Sequence, residues 1–291
     1  MREVDGKVAV VTGAANGMGL AFAQRFAREG MKVMLADYEA DALDLAVQRL
    51  RPGDFDVEGV VADVSSQAAL EDLAERTFEL YDGCHVLCNN AGVVADSDLG
   101  AIVQGVGSLP TWEQPLDDWH WTFNVNFWGV VHGIRAFVPR MLERGEEGHI
   151  VNTASIAGLV SGVGLQIYGS SKHGVVRVSE ALFGQLGGVD APIGVSVLCP
   201  GGVKTRIGFA ERNRPDDLGS GLSEEELAAR EEAFNARGAE TGMEPDAVAE
   251  IVFQAIQDDQ FWIVTHPEYD EAIRIRADEI LARRNPSPRA F

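Results

Sequence analysis

Cysteine is scarce in this chain of 291 residues, and the three present, Cys84, Cys88 and Cys199, are an odd set in apolar, strand-like contexts. That excludes a disulfide-built fold and reads as buried free thiols in a reducing compartment. Cys84-His85 followed by Cys88 resembles half a metal site. Val86 and Leu87 between them are apolar, however, and no second ligand pair follows at a zinc-like spacing, so no metal is expected. Basic excess is missing too: 24 Lys and Arg stand against 45 Asp and Glu, a formal charge of -21 with no basic tract. Nucleic acid and anionic membrane are therefore excluded as partners, and any bound phosphate must be held locally by backbone N–H groups. No apolar run reaches ~18 residues and the stretch Met1 to Lys7 has no apolar segment, so a cytoplasmic protein is expected. There is no internal repeat and no low-complexity tract.

What is present starts with a strand, a glycine turn and a helix. Val8 to Thr12 is apolar and β-branched, Gly13-Ala14-Ala15-Asn16-Gly17-Met18-Gly19 follows, and a helical pattern then runs through Leu20, Phe22, Ala23, Phe26 and Ala27. Glycines let a ligand approach the main chain, and a helix N-terminus offers its first amides to an anion. The spacing is G-x-x-x-G-x-G, and its placement between strand and helix is what a dinucleotide site requires. A second strand, Lys32 to Ala36, stops at Asp37, where a carboxylate can accept from a ribose diol and repel a 2′-phosphate. Neither Ala14 to Asn16 nor Tyr38 supplies a basic partner for such a phosphate, so NAD is expected over NADP. A strand-end Asp capping the helix near Glu39 is the plainer alternative.

Strands and helices go on alternating. A third strand, Val57 to Ala62, is closed by Asp63-Val64, and a fourth, His85 to Cys88, runs into Asn89-Asn90-Ala91-Gly92. The irregular segment Val93 to Pro115 is either a functional lid or a surface decoration. A helical pattern from Leu116 to Met141 encloses Asn126 and carries Trp119, Phe127 and Trp128, a candidate subunit contact. Then come a fifth strand ending at Ser155, a helix opening at Tyr168, and a sixth strand, Ile193 to Cys199, capped by Pro200-Gly201-Gly202-Val203-Lys204-Thr205. Within a polar stretch, Arg206 to Gly242, a helix is predicted over 224–237, and beyond it helices over 244–257 and 267–284 and a last strand over 261–264. The economical architecture is α/β, a doubly wound parallel sheet of about seven strands with helices on both faces. Every polar candidate falls at a strand's carboxyl end or just past it, the edge where such sheets bind ligands. His120, His132, His149, His173 and His266 fall at no motif position and read as ordinary core or surface residues.

Tyr168 and Lys172 set a phenol and an ammonium four residues apart, stacked on one helix face, in a chain with only four lysines and four tyrosines. A phenol works as acid or base at neutral pH only if its anion is favoured by roughly 3 units, about 4 kcal/mol, and a fixed cation supplies part of that. Thr12 with Gly19, Asn89-Asn90-Ala91-Gly92, Asn126, Ser155, Tyr168-x3-Lys172 and Pro200-Gly201, in this order and spacing, resemble the short-chain dehydrogenase/reductase family from about residue 5 to 265. The resemblance implies one Rossmann-type catalytic domain over 1–291, with an insertion at about 93–115 and a substrate-binding loop region at about 206–243. It implies hydride transfer between nicotinamide and a secondary alcohol or ketone. Tyr168 would be the general acid/base, Lys172 would lower its pKa and hold the ribose, Ser155 would bond the substrate oxygen, and Asn126 would hold a water in a proton relay. Tyr168, Lys172, Gly13, Asn16, Gly17, Met18, Gly19, Asp37, Tyr38, Asp63, Val64, Asn89, Ala91, Gly92, Pro200, Gly201, Val203 and Thr205 would meet the cofactor. Gly202, where a bulkier residue is common in the family, is a departure.

Within the family, Phe137-Val138-Pro139-Arg140-Met141, Ile193-Gly194-Val195-Ser196-Val197 and Arg212-Asn213-Arg214-Pro215 are similar to bacterial dehydrogenases of bulky secondary alcohols, among them the Cα-dehydrogenases of lignin-derived aryl ethers. A large, partly apolar pocket roofed by Ile207, Phe209, Leu165 and Trp112 would match. An NAD-dependent alcohol dehydrogenase, a homotetramer built on the helices carrying Asn126 and Tyr168, is thus expected. An NAD-binding redox sensor or scaffold and a physiological ketone reductase are the alternatives. Arg206 and Arg212 read as solvated loop charges, with an acidic substrate as the other use.

Overall fold

The computed structural model describes residues 1–53, 55–98, 109–162, 164–218 and 242–287, with isolated positions between 223 and 232. Seven strands make one sheet: β1 (Val8–Thr12), β2 (Lys32–Asp37), β3 (Val57–Val61), β4 (Val86–Asn89), β5 (Gly148–Thr153), β6 (Ile193–Cys199) and β7 (Trp262–Val264). Their order is β3-β2-β1-β4-β5-β6-β7 and every adjacent pair is parallel. The helices between them are α1 (Gly17–Arg28), α2 (Ala40–Leu50), α3 (Gln67–Tyr81), α4 (Leu116–Phe123), α5 (Gly129–Arg144), α6 (Gln166–Gly188), α7 (Pro245–Gln257) and α8 (Asp270–Leu281).

Strands covered on both sides read as continuous apolar runs, and β1 is buried along its whole length. Successive side chains then feed opposite cores. Ala9 and Val11 join Phe22, Phe26, Leu43 and Phe253 on the face of α1, α2 and α7. Val10 joins Leu70, Leu87, Phe137 and Ile150 on the other. β1 is flanked by β2 on one side and β4 on the other, so the chain reverses direction across the sheet there and opens a crevice at the strands' carboxyl ends.

Two expectations change. The helical pattern from Leu116 to Met141 is not one α-helix: a π segment, Asn124–Trp128, lies between α4 and α5. The extra residue turns Asn126 inward, fully buried, where its amide accepts from Val93 N (2.8 Å) and donates to Val93 O (2.9 Å). The C-terminal helix is shorter than 267–284, with a 3-10 turn, Pro267–Tyr269, before α8. Most of the helix predicted over 224–237, and residues 99–108 of the insertion, lie outside the described residues. Among the described residues no helix is long and apolar enough to cross a membrane. Cys84, Cys88 and Cys199 are buried free thiols.

Candidate active site

The turn after β1 is shaped by two left-handed glycines, Gly13 (φ 65°) and Gly17 (φ 55°). A Cβ on Gly13 would stand 2.9 Å from Ala91 Cα, and one on Gly19 2.1 Å from the Gly13 carbonyl oxygen, so the turn tolerates no side chain at either. The amides of Gly17, Met18 and Gly19 precede the first helical bond of α1, Leu20 N to Asn16 O, and Gly17 and Met18 line the crevice. Asp37, at the end of β2, braces this turn: Oδ2 accepts from Ala15 N (2.8 Å) and Oδ1 from Glu39 N (3.0 Å). Burial raises its pKa, and the backbone donors Glu39 and Ala15 oppose the rise.

The three central strand ends are sewn together beneath the crevice. Thr12 Oγ1 accepts from Asn90 N (2.9 Å) and Ala91 N (3.1 Å), Asn90 Nδ2 donates to Thr12 O (3.0 Å), and Thr153 Oγ1 donates to Asn90 Oδ1 (3.3 Å). Asn90 therefore forms part of the wall. Its neighbour Asn89 faces away, 3 % exposed, with Nδ2 on Asn152 Oδ1 (2.8 Å).

Tyr168 and Lys172 stand in the first two turns of α6 and line the same crevice. Ser155, two residues past β5, stands beside the Tyr168 phenol, and its Oγ accepts from Ala157 N (3.1 Å) at the start of a 3-10 turn and donates to Pro200 O (3.4 Å). Lys172 is 2 % exposed and donates to Thr153 O (2.9 Å), with Nζ 5.6 Å from the centre of the Tyr168 ring. Burial pushes the phenol up to about 12 against the opposing Ser155 hydroxyl, and pushes the ammonium down to about 8. Desolvation is the largest influence on both groups. Asn126 lies behind the wall and donates to Ser171 Oγ (3.1 Å), whose hydroxyl donates to Tyr168 O (2.7 Å). The π segment is thereby tied to the backbone of the tyrosine.

Of the expected contacts, Gly13, Asn16, Gly17, Met18, Asp37, Tyr38, Asp63, Val64, Ala91, Gly92, Tyr168, Lys172, Pro200 and Thr205 line the crevice. Gly19, Asn89, Gly201 and Val203 do not. Gly19 is packed on Gly13, Val203 bridges to Met243, and Gly201 is pinned by His266, whose Nδ1 accepts from Gly201 N (3.0 Å). The substrate end also differs from the expected roof. Ile207 is on the wall, joined by Val93, Trp121, Val125, Ala210 and Leu218. Trp112 is 84 % exposed, and Phe209 lies between the guanidinium groups of Arg206 and Arg212, 5.6 and 5.4 Å from its ring centre. Arg212 is not a solvated loop charge: with Asn213 it reaches back to the Glu39 carboxylate, Asn213 Nδ2 at 2.9 Å, so the loop after Thr205 spans the crevice.

A bare glycine turn at the switch point of a parallel sheet, with a phenol and a buried ammonium beside it, defines a dinucleotide-binding oxidoreductase. Comparison with known proteins gives the family. The short chain dehydrogenase model matches residues 7–216. The 1-deoxy-11-beta-hydroxypentalenate dehydrogenase of Streptomyces avermitilis is 39 % identical over 89 % of this chain and 84 % of its own. The C alpha-dehydrogenase of a Sphingobium species is 29 % identical over 94 % and 85 %. The crystal structure of a short chain dehydrogenase/reductase from Burkholderia phymatum in complex with NAD superposes with a TM-score of 0.89 at 41 % identity, covering all of both chains. This chain belongs to the short-chain dehydrogenase family and is an oxidoreductase of the kind that uses a nicotinamide cofactor.

Proposed function

We propose that the protein is an NAD-dependent dehydrogenase of a bulky, largely apolar secondary alcohol, with Tyr168 as general acid/base. One observation carries the reading: Tyr168 and Lys172 share a cavity with the bare glycine turn at one end and an apolar wall, Val93, Trp121, Val125, Ile207, Ala210 and Leu218, at the other. Of the named relatives, one is a dehydrogenase of 1-deoxy-11-beta-hydroxypentalenate and one a C alpha-dehydrogenase. The bound nicotinamide supplies the hydride acceptor or donor. The chain's own residues handle the proton: Tyr168 removes it from the alcohol oxygen, Ser155 shares the charge that develops there, and Lys172 adds positive charge behind the phenol. Gly13 to Met18 would hold the diphosphate, Asp37 the adenosine ribose, and Asn126 a relay water.

The choice of NAD is supported by the two carboxylates at the adenosine end, Asp37 and Glu39, the second of which already engages Arg212. The environment of Tyr168 favours the protonated phenol, which suits the carbonyl-reducing direction, and a ketone reductase is the second reading. A sensor or scaffold has no need of Ser155, Tyr168 and Lys172 gathered at one sheet edge. A homotetramer is supported by the aromatic row Trp119, Phe123, Phe127 and Trp128 along α4 and the π segment, with Trp128 47 % exposed. A cytoplasmic location fits the free thiols. We assign 1–291 to one catalytic domain in which 206–218 closes the substrate end. Tyr168→Phe should abolish NAD reduction with 1-phenylpropan-1-ol or larger aryl and cyclic secondary alcohols while NADH still binds. Undiminished turnover would overturn the assignment.

A further inference from the structure

Tyr168 occupies the first turn of its helix, where main-chain order is weakest and local capping normally secures it. No such cap exists in the adjoining sequence. Leu165 stands at the cap position, has no side-chain acceptor, and adopts a left-handed backbone (φ 53°) that points the chain into the helix. The acceptor comes instead from 70 residues upstream: Asp98 Oδ2 accepts from Tyr168 N at 2.7 Å and Oδ1 from Ile167 N at 3.4 Å, with the Gln166 amide turned to the same carboxylate.

We propose that Asp98 is a positioning residue for the acid/base, its carboxylate gathering the first amides of α6 and so fixing the backbone from which the Tyr168 phenol projects. The inference rests on Tyr168 carrying the proton transfer. Asp98 is wholly buried, and burial raises its pKa to about 6 against the opposing amides, with Asp118 of α4 reinforcing the rise. A neutral amide would fill the same space without that desolvation. It would offer one acceptor oxygen and turn an NH2 group toward the amides. Behind the carboxylate, Gln114 Nε2 approaches Oδ1 at 3.5 Å, and Ser97 Oγ lies within hydrogen-bonding reach of both Gln114 and Asp118. Asp118 in turn meets Arg214 at 2.7 Å, Arg214 meets Glu211, and Glu211 accepts from Asp96 N at 2.8 Å. Residues 96–98 are thus held from the substrate loop on one side and hold the catalytic helix on the other. A misplacement of about 1 Å at a reacting group costs on the order of 100-fold in rate, so a few tenths of an ångström here would be visible.

The experiment compares the parent, Asp98→Asn, Asp98→Ala and Tyr168→Phe. Oxidation of 1-phenylpropan-1-ol by NAD, NADH affinity by fluorescence, melting temperature, and hydrogen exchange of a peptide spanning 165–172 in the free protein are measured for each. Both Asp98 variants should lose about tenfold or more in kcat, with KM and NADH affinity changed less than about twofold. Asp98→Asn should melt within a few degrees of the parent. In Asp98→Ala, amide exchange in the first turn of α6 should quicken about tenfold while the rest of that helix is unchanged. Unaltered first-turn exchange, or an Asp98→Asn enzyme within twofold of the parent in kcat, would overturn the proposal. So would a joint fall of kcat, NADH affinity and melting temperature, the mark of a merely structural residue. A Tyr168→Phe enzyme that still turns over would instead condemn the catalytic reading itself.

Discussion

Replacing Lys172 by methionine should make the protein more stable and catalytically useless. The ammonium is 2 % exposed, it donates to the Thr153 carbonyl at 2.9 Å, and burial moves its pKa from an ordinary 10.5 to about 8. At ~1.4 kcal/mol per unit, holding it charged at pH 7 costs the folded state about 3 kcal/mol. Methionine fills nearly the same volume without charge, so packing changes little. Against the gain, the Thr153 carbonyl loses a donor, about 1–2 kcal/mol. The balance is roughly 1–2 kcal/mol in favour of methionine, and a melting temperature higher by roughly 2–6 °C. The sign can be checked by pH. A lysine whose folded pKa is depressed penalises the fold fully below about 8, and the penalty fades as pH climbs toward 10.5. The advantage of Lys172→Met should therefore be largest at pH 7 and shrink by pH 10, measured by thermal melts of the cofactor-free protein in matched buffers. A variant less stable than the parent at pH 7, or an advantage indifferent to pH, would refute the claim that this cation is kept against the interest of the fold.

Gly19→Ala should fold but lose NADH binding by about tenfold or more, read by fluorescence titration, because the new methyl meets the Gly13 carbonyl at 2.1 Å and forces the turn apart. Asp37→Ala should narrow the preference for NAD over NADP by about tenfold in kcat/KM, since a carboxylate facing a 2′-phosphate is removed. Burial raises Glu211 from 4.5 to about 7, with Arg214 opposing. Its contribution to stability is therefore complete below about 4.5 and lost as pH rises through about 7, so Glu211→Gln should gain on the parent in melting temperature between pH 5 and pH 8.

The alternation of strands and helices, and the turn Gly13 to Gly19, were legible because a buried strand, a glycine turn and an amphipathic helix each leave a local signature. The π segment did not. Asn124 to Trp128 has the composition of any helical stretch, and its surplus residue is set by what Asn126 grips on Val93. Asn89 and Asn90 are indistinguishable by type, and the pleat of β4 decides which one faces the crevice. Asp98 was invisible for another reason: its partners lie 70 residues away, and no pattern along the chain joins them. The apolar wall was misplaced where long-range pairing took over. Phe209, an obvious roof by hydrophobicity, is claimed by two arginines, while Trp121 and Ala210 form the surface it was expected to supply.

The wide turn at Asn124–Trp128 makes this region unequally tolerant of genetic change. A missense codon there alters one contact. Loss of a single codon would remove the surplus residue and wind the segment back to ordinary pitch, leaving Phe137 and Met141 of α5 in register with the interior while Asn126 loses the turn that carries its grip on Val93.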